Sequence, residues 1–198
     1  AATARCGQWV KGPGMDLVNV LTQWFYHVDF IAEDLGVLTP EVRRLLADSG
    51  LPGMKVLEFA FDDSEESGYL PHNYTENCVV YTGTHDNETL LGWYGDITPE
   101  ERHMVREYLW NFHDDEKGIC RNMIRLVMGS VAGRCIIPIQ DYLQLDNSAR
   151  INQPSTLGTN WKWRLKEGQF SKELQKEMLT LATRFGRRNW TPDPEKEK

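Results

Sequence analysis

Three groups of polar side chains directly follow short apolar runs, and their residue types and spacing could support chemistry. They are Glu33-Asp34, His85-Asp86-Asn87 and Gln140-Asp141. A carboxylate at the end of a buried strand is costly to bury unless it has a partner. Two carboxylates that converge on one pocket suit the cleavage of a glycosidic bond, in which one acts as acid/base and another stabilises or attacks the oxocarbenium-like centre. Each acid, taken alone, also fits the cap of a helix or a bridge across a loop.

The histidines allow a second chemistry, because His72 and His85 could bind a metal ion together with Asp86. No HxH or HExxH spacing supports such a site, and a hydrogen bond from His85 to a sugar hydroxyl explains that residue as well. Local signatures of Ser/His/Asp or Cys/His nucleophiles are missing. Aromatic residues in or near the same loops suit sugar rings as well as a core or an interface: Trp93, Tyr94, Trp161 and Trp163.

The elements that must position these side chains are short apolar runs alternating with helices, which predicts parallel βα units. The uniformly apolar composition of the runs predicts a sheet that is covered on both faces. No glycine-rich phosphate loop follows any run, so neither a dinucleotide fold nor a P-loop is supported. Ionisable residues after successive parallel strands are typical of the active-site face of a (β/α)₈ barrel. The predicted strands are 28–32, 54–61, 78–82 and 134–139.

Helix start and stop signals lie between these strands. The spacing of apolar residues predicts a helix over 15–27. Thr39, followed by Pro40, predicts the start of the next helix, and Gly50 its end. The same Thr-Pro-Glu start recurs at Thr98 and predicts a helix to about residue 111. Further helices are predicted over 116–131 and 170–187, before a charged tail, 191–198, that should fray.

Composition excludes several classes of protein. With 22 Lys+Arg against 29 Asp+Glu, the formal net charge is −7, which argues against a nucleic-acid or anionic-membrane partner. No run approaches the 18 or so apolar residues of a membrane span, and the first residues do not resemble a signal peptide. Four widely spaced cysteines without a CxxC pair predict reduced, packed thiols and a cytoplasmic protein: Cys6, Cys78, Cys120 and Cys135.

Five segments, met in order along the chain, resemble the 4-α-glucanotransferase (amylomaltase, disproportionating enzyme) family. The combination of IAEDLG, a following TPEV and GTHDN is specific, and the resemblance covers most of the chain. The five segments are 9–14 (WVKGPG), 31–36 (IAEDLG), 51–55 (LPGMK), 81–87 (YTGTHDN) and 160–164 (NWKWR).

The resemblance implies a cytoplasmic retaining enzyme that transfers α-1,4-glucan segments between malto-oligosaccharides. It implies that Glu33 is the general acid/base, that Asp86 stabilises the transition state, and that His85 binds the same sugar ring. Neither a metal nor another cofactor is expected, because carboxylates supply the whole mechanism. Further residues are expected to bind substrate: Asp34, Asn87, His72, Asn152 and Trp161.

The resemblance also implies an α/β fold in which residues 1–190 form the second half, about four strands, of a TIM (β/α)₈ barrel. The chain has 198 residues, whereas a complete barrel takes about 250. The family places its nucleophilic aspartate upstream, in an Arg-x-Asp-His-type segment that this sequence does not contain. The chain is therefore expected to lack the nucleophile and to be inactive by itself.

A half barrel leaves sheet edges unpaired, so we expect either self-association or pairing with the missing N-terminal half of the enzyme. Two other interpretations stay open on sequence grounds. One is a catalytically silent carbohydrate-binding or regulatory fragment, and the other is an unrelated enzyme, dependent on a metal or on acid/base catalysis, with a small α/β sheet.

Overall fold

The computed structural model describes residues 7, 10–36, 38–62 and 67–188. Its contacts divide the chain into two compact units, Ala1–Met54 and Lys55–Lys198. Cys6 and the tail 191–198, which was predicted to fray, lie outside the described residues. Within the described ranges, no helix is both long and apolar enough to cross a membrane.

The first unit contains two helices that pack against each other, α1 (Met15–Trp24) and α2 (Pro40–Ser49). The start of α2 is as predicted, because the Thr39 hydroxyl accepts a hydrogen bond from the Val42 amide at 3.5 Å. Gly50 ends the helix with a φ of 65°, a conformation that favours glycine. The α1 helix ends three residues before its predicted end at residue 27.

The predicted strand over 28–32 is wrong. This segment has no regular secondary structure. The Ala32 amide donates a hydrogen bond of 2.9 Å to the Pro52 carbonyl, but the segment forms no β-sheet ladder. Val28 and Ile31 are exposed. The segment therefore lacks the burial of apolar side chains that stabilises a strand in a sheet. An apolar run alone does not distinguish a strand from an extended connection.

A three-stranded sheet of order β1-β2-β3 organises the second unit, where four strands were predicted for the whole chain. Its strands are β1 (Gly53–Val56), β2 (Cys78–Tyr81) and β3 (Arg134–Ile136). β2 and β3 run parallel, with Val80 opposite Cys135. Each is shorter than predicted, and β1 passes directly into a 3₁₀ turn, Leu57–Phe59.

Five helices accompany this sheet: α3 (Leu90–Asp96), α4 (Pro99–Leu109), α5 (Glu116–Met128), α6 (Ile139–Tyr142) and α7 (Lys172–Arg184). The start of α4 is confirmed, since the Thr98 hydroxyl accepts from the Glu101 amide while the Glu101 carboxylate accepts from the Thr98 amide. The short helices α3 and α6 were not predicted. Each has fewer than eight residues, too few for a periodic apolar pattern to show.

The core of the second unit lies between the sheet and helices α3 and α5. Both faces of β2 are buried, as predicted, with Val79 and Val80 fully shielded. The prediction is wrong for β3, where Ile136 is exposed. Beside it an open, largely apolar cavity of about 500 Å³ reaches to Met178 and Leu179 of α7. One face of β3 is therefore uncovered by the described part of the chain.

The three described cysteines form no disulfide, as predicted. Burial raises the pKa of Cys120 to about 12 and that of Cys135 to about 11. Because only the thiolate is reactive, these side chains are inert and serve packing.

Candidate active site

The loop that joins β2 to α3, residues 83–89, carries the GTHDN motif and is called here the 83–89 loop. Its turn is closed by its own side chains. The Asn87 side-chain oxygen accepts from both the amide (3.0 Å) and the hydroxyl (2.7 Å) of Thr84. The Thr84 hydroxyl in turn accepts from the Asp86 amide at 3.3 Å. These bonds present His85 and Asp86 at the tip of the loop.

Four residues predicted for the site come together at this tip. His85 Nε2 lies 3.4 Å from Asp86 Oδ1, and both side chains are about half exposed, at 52% and 49%. Asn152 Nδ2 donates to the same carboxylate oxygen at 2.6 Å. The ring of Trp161 packs on that of His85 with 5.1 Å between centroids, and Trp161 remains 57% exposed. The arrangement offers a carboxylate, an imidazole and an aromatic face to solvent.

Arg150 ties the 83–89 loop to the segment that carries Asn152, and sequence analysis did not identify it. One guanidinium nitrogen, Nη2, donates to the Asp86 carbonyl at 2.7 Å, and Nε donates to the Asn152 carbonyl at 2.9 Å. Nη1 pairs with Glu88 at 3.3 Å. No spacing rule marks a single arginine in a polar loop, so sequence offered no signal for it.

Asp141 lies buried beneath the loop, with 2% of its surface exposed. Its Oδ2 accepts from the Thr82 hydroxyl at 2.5 Å, and its Oδ1 accepts from the Leu90 amide at 2.9 Å. Burial raises the pKa of Asp141 to about 6, although both hydrogen bonds act in the opposite direction. The sequence singled out Gln140-Asp141 as the end of a strand, whereas these residues lie in α6.

Glu58 is a second buried acid, in the 3₁₀ turn after β1. Its amide donates to the Thr82 carbonyl at 3.1 Å, while its Oε1 has no hydrogen-bond partner among the described residues. Burial, and then the negative charge of Asp141, raise the pKa of Glu58 well above its usual value. In the sequence, Glu58 stands out as the one acidic residue inside the apolar run 54–61, which is the feature that could have marked it as a buried acid.

Gly83 begins the loop directly above Glu58. A Cβ atom at this position would lie 2.6 Å from Glu58 Oε1 and 3.2 Å from the Asn87 Cβ. Since such approaches do not occur between real side chains, only glycine fits here without a shift of its neighbours. The glycine of the GTHDN motif is explained by this close approach.

In the first unit, Glu33 and Asp34 have different environments. Glu33 is exposed, as a group that contacts substrate must be. Asp34 is buried, and its Oδ1 accepts from the Met54 amide at 2.6 Å, close against Gly53. Asp34 therefore fixes the backbone at the start of β1.

His72 makes its described contacts elsewhere, on α4. Its Nδ1 lies 3.0 Å from the hydroxyl of Tyr108, and the two rings stack. Across the described ranges, no group of three or more His, Cys, Asp or Glu side chains could hold a metal ion.

A polar cavity of about 650 Å³ borders the loop on the side of Glu88 and Arg150. Amide, charged and aromatic side chains from the 147–163 region line it, among them Asn147, Asn160, Lys162 and Trp163. Its dimensions and lining are those of a site for a polar ligand.

A parallel sheet whose strand-end loop exposes a carboxylate beside an imidazole and an indole defines an α/β protein with a candidate active site. A sequence profile of the family described as 4-alpha-glucanotransferase matches residues 1–171. The chain belongs to the 4-alpha-glucanotransferase family.

Individual relatives agree with this assignment. The 4-alpha-glucanotransferase of Clostridium butyricum is 46% identical over 93% of this chain, and that of Thermus thermophilus is 48% identical over 91%. The amylomaltase from Streptococcus agalactiae, solved in complex with acarbose, superposes with a TM-score of 0.85 at 34% identity, over 92% of this chain and 37% of that one. The chain spans 38% and 37% of the length of the two curated relatives.

Proposed function

We propose that this chain supplies part of the active site of a 4-α-glucanotransferase, which transfers α-1,4-glucan segments between malto-oligosaccharides by a retaining mechanism. The observation that carries the proposal is the cluster of His85, Asp86, Asn152 and Trp161 at the end of β2. Membership of the family gives the cluster its chemistry.

Asp86 is proposed as the transition-state stabiliser. Its carboxylate is half exposed and is oriented by Asn152 and His85, so it can accept hydrogen bonds from sugar hydroxyls as positive charge develops at the anomeric carbon. Groups that are oriented before the reaction need no reorganisation in the transition state. His85 and the exposed face of Trp161 would hold the same sugar ring.

Glu33 is proposed as the general acid/base. It would protonate the glycosidic oxygen as the leaving sugar departs, and would later take the proton from the 4-hydroxyl of the acceptor. Its exposure suits contact with substrate. The carboxylate of the adjacent Asp34 accepts a hydrogen bond from the Met54 amide, which limits the motion of this segment.

Substrate-binding roles for Asp34, Asn87 and His72 stay predictions. In the structure, Asp34 and Asn87 hold backbone or loop geometry, and His72 contacts Tyr108. We propose that further sugar residues of an α-glucan lie in the polar cavity beside Glu88 and Arg150, and not against these three side chains.

The proposed site is incomplete in this sequence, which contains no Arg-x-Asp-His-type segment to supply the nucleophile. We propose that the sheet forms about half of a (β/α)₈ barrel and pairs with the N-terminal half of the enzyme or with a second copy. In the order β1-β2-β3, β1 and β3 are the edge strands of the described sheet, and unpaired edges support this pairing. A cytoplasmic location stays a prediction, since the relative from Solanum tuberosum is described as chloroplastic/amyloplastic.

The test is to measure the affinity of this chain for acarbose by titration calorimetry. We expect Asp86→Asn to weaken binding roughly 10- to 100-fold, because it removes a charged acceptor from the sugar contact. Asp48→Asn, at an exposed aspartate of α2, is the matched control and should bind as the parent does. Equal affinity of the Asp86→Asn and Asp48→Asn chains would remove Asp86 from the site.

A further inference from the structure

We propose that Asp141 is a positioning residue that holds both ends of the 83–89 loop and thereby sets the place of Asp86. The consequence for substrate rests on the proposed function of that loop. Asp141 itself is 98% shielded from solvent, at 2% exposure, so it acts through the loop and not by contact with a sugar.

The two oxygens of Asp141 are used separately. Oδ2 accepts from the hydroxyl of Thr82, the residue before the loop, and Oδ1 accepts from the amide of Leu90, the residue after it. The distances are 2.5 and 2.9 Å, as in charge-assisted hydrogen bonds. A single rigid carboxylate therefore fixes the separation between the two ends of the loop.

Helix capping accounts for only part of this arrangement, because Leu90 is the first residue of α3 and its amide belongs to that helix terminus, whereas Thr82 lies outside it. The cap of α3 is Thr89, whose hydroxyl accepts from the Gly92 amide at 3.2 Å. The bond from Thr82 to Asp141 is not directed at any helix terminus, since Thr82 directly follows β2. What the two bonds to Asp141 share is the loop between them.

The loop is held from its other side by Arg150, which donates to the Asp86 carbonyl at 2.7 Å. Three points of the backbone around Asp86 are thus fixed: Thr82, Asp86 and Leu90. Asp141 lies on α6, directly after β3, and β3 pairs with β2 in parallel register. Neighbouring strand ends therefore cooperate, one presenting the exposed carboxylate and the other the buried support.

The burial of Asp141 makes its ionised carboxylate costly in free energy. Burial opposes its ionised form, and Glu58 adds a second acid to the same interior. The two hydrogen bonds from Thr82 and Leu90 offset part of that cost.

The test compares substitutions that remove one tie with substitutions that keep it. Thr82→Val removes the hydroxyl with almost no change of shape, Thr82→Ser retains it, and Asp141→Ala removes both acceptor oxygens. Asp115→Ala, which removes the cap of α5, is the control for loss of an aspartate elsewhere in the chain. The first measurement is amide hydrogen exchange of residues 84–88, and the second is affinity for acarbose.

We expect faster exchange in the loop, roughly 10- to 100-fold, for Thr82→Val and Asp141→Ala, with Thr82→Ser and Asp115→Ala close to the parent. Affinity for acarbose should fall in the same two variants. Unchanged exchange in both, or faster exchange with unchanged affinity, overturns the inference. Faster exchange together with a parent chain that binds no acarbose instead rejects the proposed function and leaves the support of the loop established.

Discussion

At the scale of single residues, the site consists of an exposed layer over a buried one. Asp86 and His85 face solvent, while Asp141 and Glu58 lie beneath the same loop. The exposed carboxylate and the two buried ones have different tasks, since an exposed carboxylate can bind substrate and a buried one can only hold protein atoms. Sequence spacing found Asp86 and Asp141 but could not tell these tasks apart.

The buried layer makes stability depend on pH. Because the pKa of Asp141 is raised to about 6 in the folded chain, the folded state binds this proton more tightly than the unfolded state. The contribution is therefore present at about pH 4 and is lost as the pH rises through 6. Denaturant unfolding should show the parent losing roughly 2 kcal/mol between pH 4 and 7 relative to Asp141→Asn. Parallel pH profiles of the two chains would contradict this prediction.

The close approach at Gly83 gives a second prediction at this scale. Gly83→Ala places a Cβ against Glu58 Oε1, so it should cost about 1–3 kcal/mol in unfolding free energy. Gly95→Ala is the matched control, because open space surrounds that position in α3 and alanine favours a helix. Thermal unfolding measures both, and equal melting temperatures for the two variants would refute the steric explanation.

At the scale of elements, the starts of α2 and α4 were predicted well, whereas of the strands only β2 was predicted to within one residue. The signals at Thr39, Gly50 and Thr98 are local, since a cap forms between residues three apart, so sequence suffices to read them. A strand requires a neighbour that is distant in sequence. The apolar run 28–32 therefore resembled a strand without being one, and the run 54–61 gave a strand of four residues followed by a turn.

The junction between α5 and α7 depends on one arginine. Arg187 donates to the carbonyls of Met128 (3.0 Å), Ser130 (2.8 Å) and Ala132 (2.5 Å), at and beyond the end of α5. Those carbonyls would otherwise lack partners. Arg187→Met should therefore lower the unfolding free energy by about 2–4 kcal/mol, whereas Arg188→Met, at an exposed neighbour, should change it by less than about 0.5 kcal/mol. Urea unfolding distinguishes them, and similar midpoints would show that the carbonyls are satisfied by solvent.

At the scale of the whole molecule, the described sheet is compatible with the partial barrel proposed above. The described residues form three strands, whereas a closed barrel has eight, and β3 leaves Ile136 exposed beside an apolar cavity. The family could be identified from sequence because its motifs are short and contiguous. The tie made by Arg150 and the shared support from Asp141 could not, because they join residues more than 50 positions apart.

The central proposal, that Glu33 and Asp86 each take part in glucan transfer, is tested most directly by a chimera. This chain replaces the matching segment of the Clostridium butyricum 4-alpha-glucanotransferase, and glucose release from maltotriose is measured. The chimera should be active, and Glu33→Gln should reduce its rate about 10²- to 10⁴-fold with an unchanged melting temperature, while Glu41→Gln in α2 retains activity. A Glu33→Gln chimera that transfers as fast as its parent would contradict the account.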